Sequence, residues 1–285
     1  MKRNNPTVAV LSGKGGTGKT LVSVNLAAAA KKAVYVDCDV EEPNGHLFFK
    51  PDWTGREAVS KKIPSIDFDL CSGCRLCADF CKFNALAFVK GKPVLFQDVC
   101  HSCGGCALLC PQHAIGEEAK AIGEIQTGLS DNVFVLTGRL NAGEPSGIPI
   151  IKQLLQKSAA EAELPVFIDC PPGSACSVME SIKEADYCVL VAEPTVYGAH
   201  NLEMVWELVN VFHKPYGVVL NKCLKTENPA EEFCVQRRLP ILARIPYDGE
   251  LGLINSQAKI AARENERYYE LFSALLHSVM EEAKA

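Results

Sequence analysis

The chain has 285 residues, 48% of them hydrophobic and 22% charged, which suits one large domain or two small ones with a sizeable core. Its formal net charge of −5 argues against a general nucleic-acid binder, and no run approaches the ~18 apolar residues of a membrane span. Fourteen cysteines, many in C-x-x-C spacing behind an N-terminus without an apolar leader, point to reduced metal-binding thiolates in a cytoplasmic protein rather than to disulfides.

Thr7 to Leu11 is a short β-branched run that reads as a buried strand. Lys19 to Lys32 follows with helix-forming alanines, and Ala33 to Asp39 is a second strand, so the chain opens as a βαβ unit. The pattern then breaks from about Pro64 to Glu118, where Cys, Gly and short apolar pieces dominate. Strands resume at 133–138, 165–170, 187–194, 216–222 and 240–246, separated by helical stretches near 148–163, 176–184, 199–212 and 230–238, with a terminal helix after Glu264. The expected fold is α/β: a doubly wound, mostly parallel sheet with a small module inserted between its second and third strands. The boundaries are 1–63 and 119–285 for the two parts of the main domain and 64–118 for the insert.

Gly13-Lys14-Gly15-Gly16-Thr17-Gly18-Lys19-Thr20 fits G-x-x-x-x-G-K-[ST] between a strand and a helix. Its glycines let backbone N–H groups turn toward phosphate oxygens, and the following helix adds its positive end. Lys19 would reach the outer phosphates of ATP or ADP, and the Thr20 hydroxyl would ligate Mg²⁺. With the extra Lys14, "KGGTGKT" resembles the deviant Walker A loop of the MinD, ParA, Mrp and nitrogenase iron-protein superfamily. The resemblance implies Mg-dependent ATP hydrolysis and a homodimer with ATP sandwiched at its interface, Lys14 reaching the nucleotide of the other subunit. It also implies switch roles: Asp39 near the attacking water and the metal, Asp37 as its neighbour, and Asp169 of "VFIDCPPG" as a Walker B carboxylate behind Mg²⁺. Asn221, ending "YGVVLN", corresponds to an adenine-reading position, with a turn residue as the alternative, and backbone near Pro246 would touch the base. Strand-end aspartates also serve as plain caps and turn formers.

Cys71, Cys74, Cys77 and Cys81 follow C-x₂-C-x₂-C-x₃-C, and Cys100, Cys103, Cys106 and Cys110 repeat it, closed by Pro111. This is the spacing of bacterial two-cluster ferredoxins, in which the fourth cysteine of each run serves the other cluster. One [4Fe–4S] cluster would therefore take Cys71, Cys74, Cys77 and Cys110, and the other Cys81, Cys100, Cys103 and Cys106. Lys82 stands where the first run would carry its proline. Structural zinc, with other loop lengths, and disulfides fit the pattern less well. Of the remaining cysteines, Cys170 and Cys188 read as small core residues, while Cys176 follows a switch-like loop.

As a whole the sequence resembles MinD-superfamily ATPases carrying an inserted ferredoxin domain. That implies a nucleotide-driven dimer switch coupled to two clusters, for electron delivery to a redox partner or metal-cofactor assembly on it. A MinD/ParA-like positioning ATPase with the clusters as redox sensor is the first alternative, and a ferredoxin-type carrier with a vestigial nucleotide site the second. The tail is acidic at Glu281 and Glu282, so neither a membrane anchor nor nucleic acid is expected.

Overall fold

Short runs of Val, Ile and Ala, apolar on both faces, form the middle of the fold. The computed structural model describes residues 5–161, 163–225 and 227–284. The strands are β1 (Thr7–Leu11), β2 (Ala33–Asp37), β3 (Asp52–Ile66), β4 (Leu86–Val89), β5 (Lys92–Leu95), β6 (Ile115–Ser130), β7 (Val133–Leu140), β8 (Val166–Asp169), β9 (Tyr187–Ala192), β10 (Tyr216–Cys223) and β11 (Ile241–Pro246). Among the described residues nine of them form one sheet in the order β11-β10-β9-β1-β8-β2-β7-β6-β3, and β4–β5 is a separate hairpin. The pairings from β11 to β7 are all parallel, while β6 runs antiparallel to both β7 and β3.

Side-chain alternation along β1 feeds two cores, one on each face of the sheet. Ala9 and Leu11 meet helices Ile148–Ala160, Cys176–Ile182 and Val196–Val211 through Ile150, Leu154, Val178 and Leu202. Val8 and Val10 meet helices Lys19–Ala29 and Glu266–Glu282 through Leu26, Phe272 and Leu275. Cys170 and Cys188 sit in the first core, as small hydrophobes do, and Cys38 and Cys234 join them. The expected helix over 148–163 ends at Ala160, and position 162, like residues 1–4 and 285, lies outside the described residues.

The main difference from the sequence reading lies at β3 and β6. They form a long antiparallel ribbon that widens the sheet, and residues 64–66 and 115–118 of the expected insert belong to it. The cysteine-rich segment 67–114 hangs from the ribbon's end. These strands escape a pattern search because β3 is an edge strand. Its face is largely wet, and Val59, Ile63 and Pro64 are its buried apolar residues. Pro64 and the charged Lys61 and Lys62 suit an edge. In β6 the run Gly-Glu-Glu-Ala-Lys-Ala has poor strand propensity, yet Ile122 and Ile125 reach the core.

Candidate nucleotide cleft and cysteine cavities

The loop after β1 ends at helix Lys19–Ala29, where Gly16 and Gly18 take φ of +82° and +99°. Gly18 is needed twice, because a Cβ there would also run into the Asn221 amide. Asn221 is buried inside β10, not in a turn, and its Nδ2 donates to the Thr17 carbonyl at 2.7 Å. Lys222 donates to the Gly16 carbonyl at 2.6 Å. The end of β10 thus clamps the glycine loop.

Beneath the loop lies a charged knot at the carboxyl ends of β1, β2 and β8, where doubly wound sheets bind ligands. Lys19 Nζ is 2.5 Å from Asp169 Oδ1 and 4.0 Å from Asp39 Oδ2, and the Tyr35 hydroxyl donates to Asp169 Oδ2 at 3.0 Å. Asp37 is fully buried; its Oδ2 accepts from the backbone N–H of Asn44 at 3.1 Å and of Gly45 at 2.9 Å, and its Oδ1 from that of Asp39 at 3.2 Å. Burial, then the Asp169 carboxylate, push the Asp37 carboxyl up to about 8 against the pull of Lys19. Burial raises Asp39 to about 6, with Lys19 opposing. Burial also pushes the Lys19 ammonium down, but the Asp169 carboxylate and its hydrogen bond outweigh that and the net shift is upward.

A cleft of about 520 Å³ opens over this knot, within the ~300–1,000 Å³ typical of small-molecule sites. Its lining includes Lys14, Lys19, Thr20, Asp39, Asn221 and Pro246, so residues far apart in sequence share one wall. Thr17 is buried against the loop and Gly13 packs against the Asn201 carbonyl. A larger cleft of about 900 Å³ lies at the opposite strand ends, beside Thr7 and Asp186, and has no glycine loop. Lys14, expected to reach across a dimer, pairs within its own chain with Glu193. Lys222 stands 3.7 Å from the same carboxylate. Sequence reading missed Glu193 and Tyr35; the only signal for Glu193 was its place after β9, in "AEPTVYG".

The module cysteines fall into two groups. One cavity is lined by Cys71, Cys74, Cys77 and Cys110, and another by Cys81, Cys100, Cys103 and Cys106. The backbone N–H of Ala85 donates to Cys81 Sγ, and that of Ala114 to Cys110 Sγ, each at 3.3 Å. Burial raises the Cys77 and Cys106 thiols, and the neighbouring Cys71 and Cys74, or Cys100 and Cys103, push the same way. Among the described residues no three His, Cys, Asp or Glu side chains converge to hold a single metal ion. His101 is stacked on Phe83 at 4.0 Å between ring centroids. Cys176 is exposed at the start of its helix.

Residues 8–259 match the CobQ/CobB/MinD/ParA nucleotide binding domain. The chain belongs to that family. It is 31% identical over 271 residues to an uncharacterised protein of Methanocaldococcus jannaschii, covering 93% of this chain and 95% of the relative. A second uncharacterised protein of that organism is 30% identical over 219 residues, covering 75% and 79%. Among solved structures, the cell division ATPase MinD of Pyrococcus furiosus superposes with a TM-score of 0.62 at 20% identity, covering 99% of each chain. MinD of Pyrococcus horikoshii, complexed with Mg-ADP, gives 0.58 at 21%, covering 98% and 96%. At these identities the structural likeness speaks for the fold. No helix among the described residues is long and apolar enough to cross a membrane.

Proposed function

We propose that this chain is an ATP-hydrolysing, dimer-forming nucleotide switch of the MinD/ParA kind whose output passes through the cysteine module. The observation that carries the reading is Lys19 between Asp169 and Asp39 under a glycine loop, with Lys14 at the rim. Loop N–H groups and Lys19 would take the phosphates, Lys19 leaving Asp169 for them. A bound magnesium ion would neutralise charge on the transferring phosphoryl group. Thr20 and Asp39 would hold it, with Asp169 behind. Asp39 would orient the attacking water. Asn221 and backbone near Pro246 line the place where a base would lie, although the Asn221 amide already holds the loop.

For the output, the comparisons favour the MinD-like positioning switch over electron delivery, because the family and the similar folds are those of nucleotide switches. A second reading draws on the two four-cysteine cavities. Their cysteine sets are those that crossed ferredoxin spacing requires, and four cysteines at each cavity with a backbone N–H donor to one sulfur suit iron–sulfur clusters. Each set of four cysteines would hold one such group, so a single-ion site is not required of them. The groups would supply one-electron chemistry, used as a redox sensor within the switch or for delivery to a partner.

Purification under strict anaerobiosis, iron analysis and ATPase assay test both levels. We expect absorption near 400 nm and about eight irons per chain from the ligand count. A colourless, zinc-loaded protein sinks the cluster reading and leaves the ATPase. Full metallation without nucleotide binding sinks the switch. A cluster potential that moves with ATP means that the clusters and the nucleotide site are coupled, and an unmoved one means that two functions merely share the chain.

A further inference from the structure

Lys61 is a buried lysine on the edge strand β3 that neither site uses. Its side chain is 6% exposed, and its Nζ stands 2.8 Å from Glu144 Oε2, also 6% exposed. The same Nζ donates to the backbone carbonyl of Cys100 at 2.9 Å. Lys61 lies directly opposite Lys120 in the β3–β6 register, a like-charge pairing that would be unfavourable alone. Glu144 resolves it, because its Oε1 is 2.8 Å from Lys120 Nζ. Lys120 in turn holds Asp98, two residues before Cys100, at 2.8 Å.

The other end of this chain of contacts is the nucleotide side. Glu144 lies in the segment between β7 and helix Ile148–Ala160. The N–H of Leu140 donates to the Val40 carbonyl at 2.8 Å, and Gly147 packs so closely on Val40 that a Cβ there would collide. Val40 follows Asp39 directly. Asp39 to Glu42, Gly147, and Pro171 with Pro172 line one cleft, so both switch-like segments border the Glu144 segment.

We infer that the Lys61–Glu144 pair is the mechanical link through which the 39–42 segment moves the Cys100 loop, making the Cys81/Cys100/Cys103/Cys106 cavity sensitive to nucleotide. Lys61 and Glu144 are positioning residues here and touch neither nucleotide nor cysteine sulfur. Among the described residues no ion pair of this kind ties the cavity of Cys71, Cys74, Cys77 and Cys110 to the switch segments. A buried ion pair makes a stiff link, because breaking it is costly and the two segments then move together or not at all. The inference rests on the nucleotide-switch reading above, and the contiguous contacts from Val40 through Glu144 and Lys61 to Cys100 are its warrant.

The test is amide hydrogen exchange of the full chain, with and without a non-hydrolysable ATP analogue and Mg²⁺, comparing peptides over 98–106 and 71–79. Wild type should show a several-fold change in 98–106 and little in 71–79. Lys61→Met should lose the change in 98–106 while analogue affinity stays within about twofold, and Lys61→Arg should restore it. If Lys61→Met does not fold, Asp98→Ala serves instead: Asp98 is largely exposed, and its loss should weaken the response without opening the buried pair. An equal response in wild type and Lys61→Met, or an equal response in both cysteine segments, overturns the inference and leaves the switch standing. A wild-type chain that does not bind the analogue overturns the switch and this inference together. All variants are compared in one state of metallation, as anaerobically purified protein, because a metal held by Cys100, Cys103 and Cys106 would itself slow exchange in 98–106.

Discussion

Replacing Lys19 by Met in nucleotide-free protein isolates the energetics of the charged knot. Lys19 is 7% exposed and Asp169 is fully buried, and Asp37 and Asp39 crowd the same ammonium. Met keeps the length of the side chain and removes the charge, so three carboxylates lose their shared cation. Breaking a buried pair from one side costs about 3–5 kcal/mol, because the remaining charge is stranded without water. At about 2 °C per kcal/mol, suited to a chain of this size, the melting temperature should drop by roughly 6–10 °C. Asp169→Asn should lose less, since Lys19 keeps Asp39 at 4.0 Å, and the double variant Lys19→Met/Asp169→Asn should recover most of the loss. The assay is circular-dichroism melting in EDTA at pH 8, where Asp37 is at its raised midpoint. A Lys19→Met variant within about 2 °C of wild type, or a double variant no better than Lys19→Met, would refute the argument that Lys19 compensates stranded charge.

The Asp37 carboxyl gives a pH signature. Its ordinary value is 3.8 and burial lifts it to about 8, so between these the folded chain keeps a proton that the unfolded chain has lost. Stability of the metal-free, nucleotide-free protein should therefore fall as pH rises from 5 to 8, by at most about 1.4 kcal/mol per unit, and Asp37→Asn should flatten the slope in urea titrations. Glu193→Gln frees Lys14 from its own chain; a partly exposed pair is worth about 0.2–1 kcal/mol, so half-maximal dimerisation should need roughly 1.5- to 5-fold less ATP by light scattering. An unchanged midpoint would mean that Glu193 does not compete for Lys14. Gly18→Ala should weaken nucleotide binding measured calorimetrically, because a Cβ displaces Asn221 and the φ of +99° disfavours alanine.

Local chemistry made much of this protein legible from sequence. The glycine loop could be read because a phosphate grip needs its residues contiguous, and residues 13–20 carry all of them. The core strands could be read because β1, β8 and β9 are apolar on both faces. The doubled cysteine spacing was plain as well, and each expected set of four lines one cavity in the structure. What only the tertiary structure decided are relations between distant segments. Asn221 clamps a loop 204 positions away, and Lys19 meets Asp169 across 150. The β3–β6 ribbon stayed hidden because an edge strand gets its register from its neighbour, not from its own hydrophobic pattern. Glu193 and Glu144 were invisible for a related reason. A single carboxylate carries no motif, and its meaning depends on which lysine the fold brings to it.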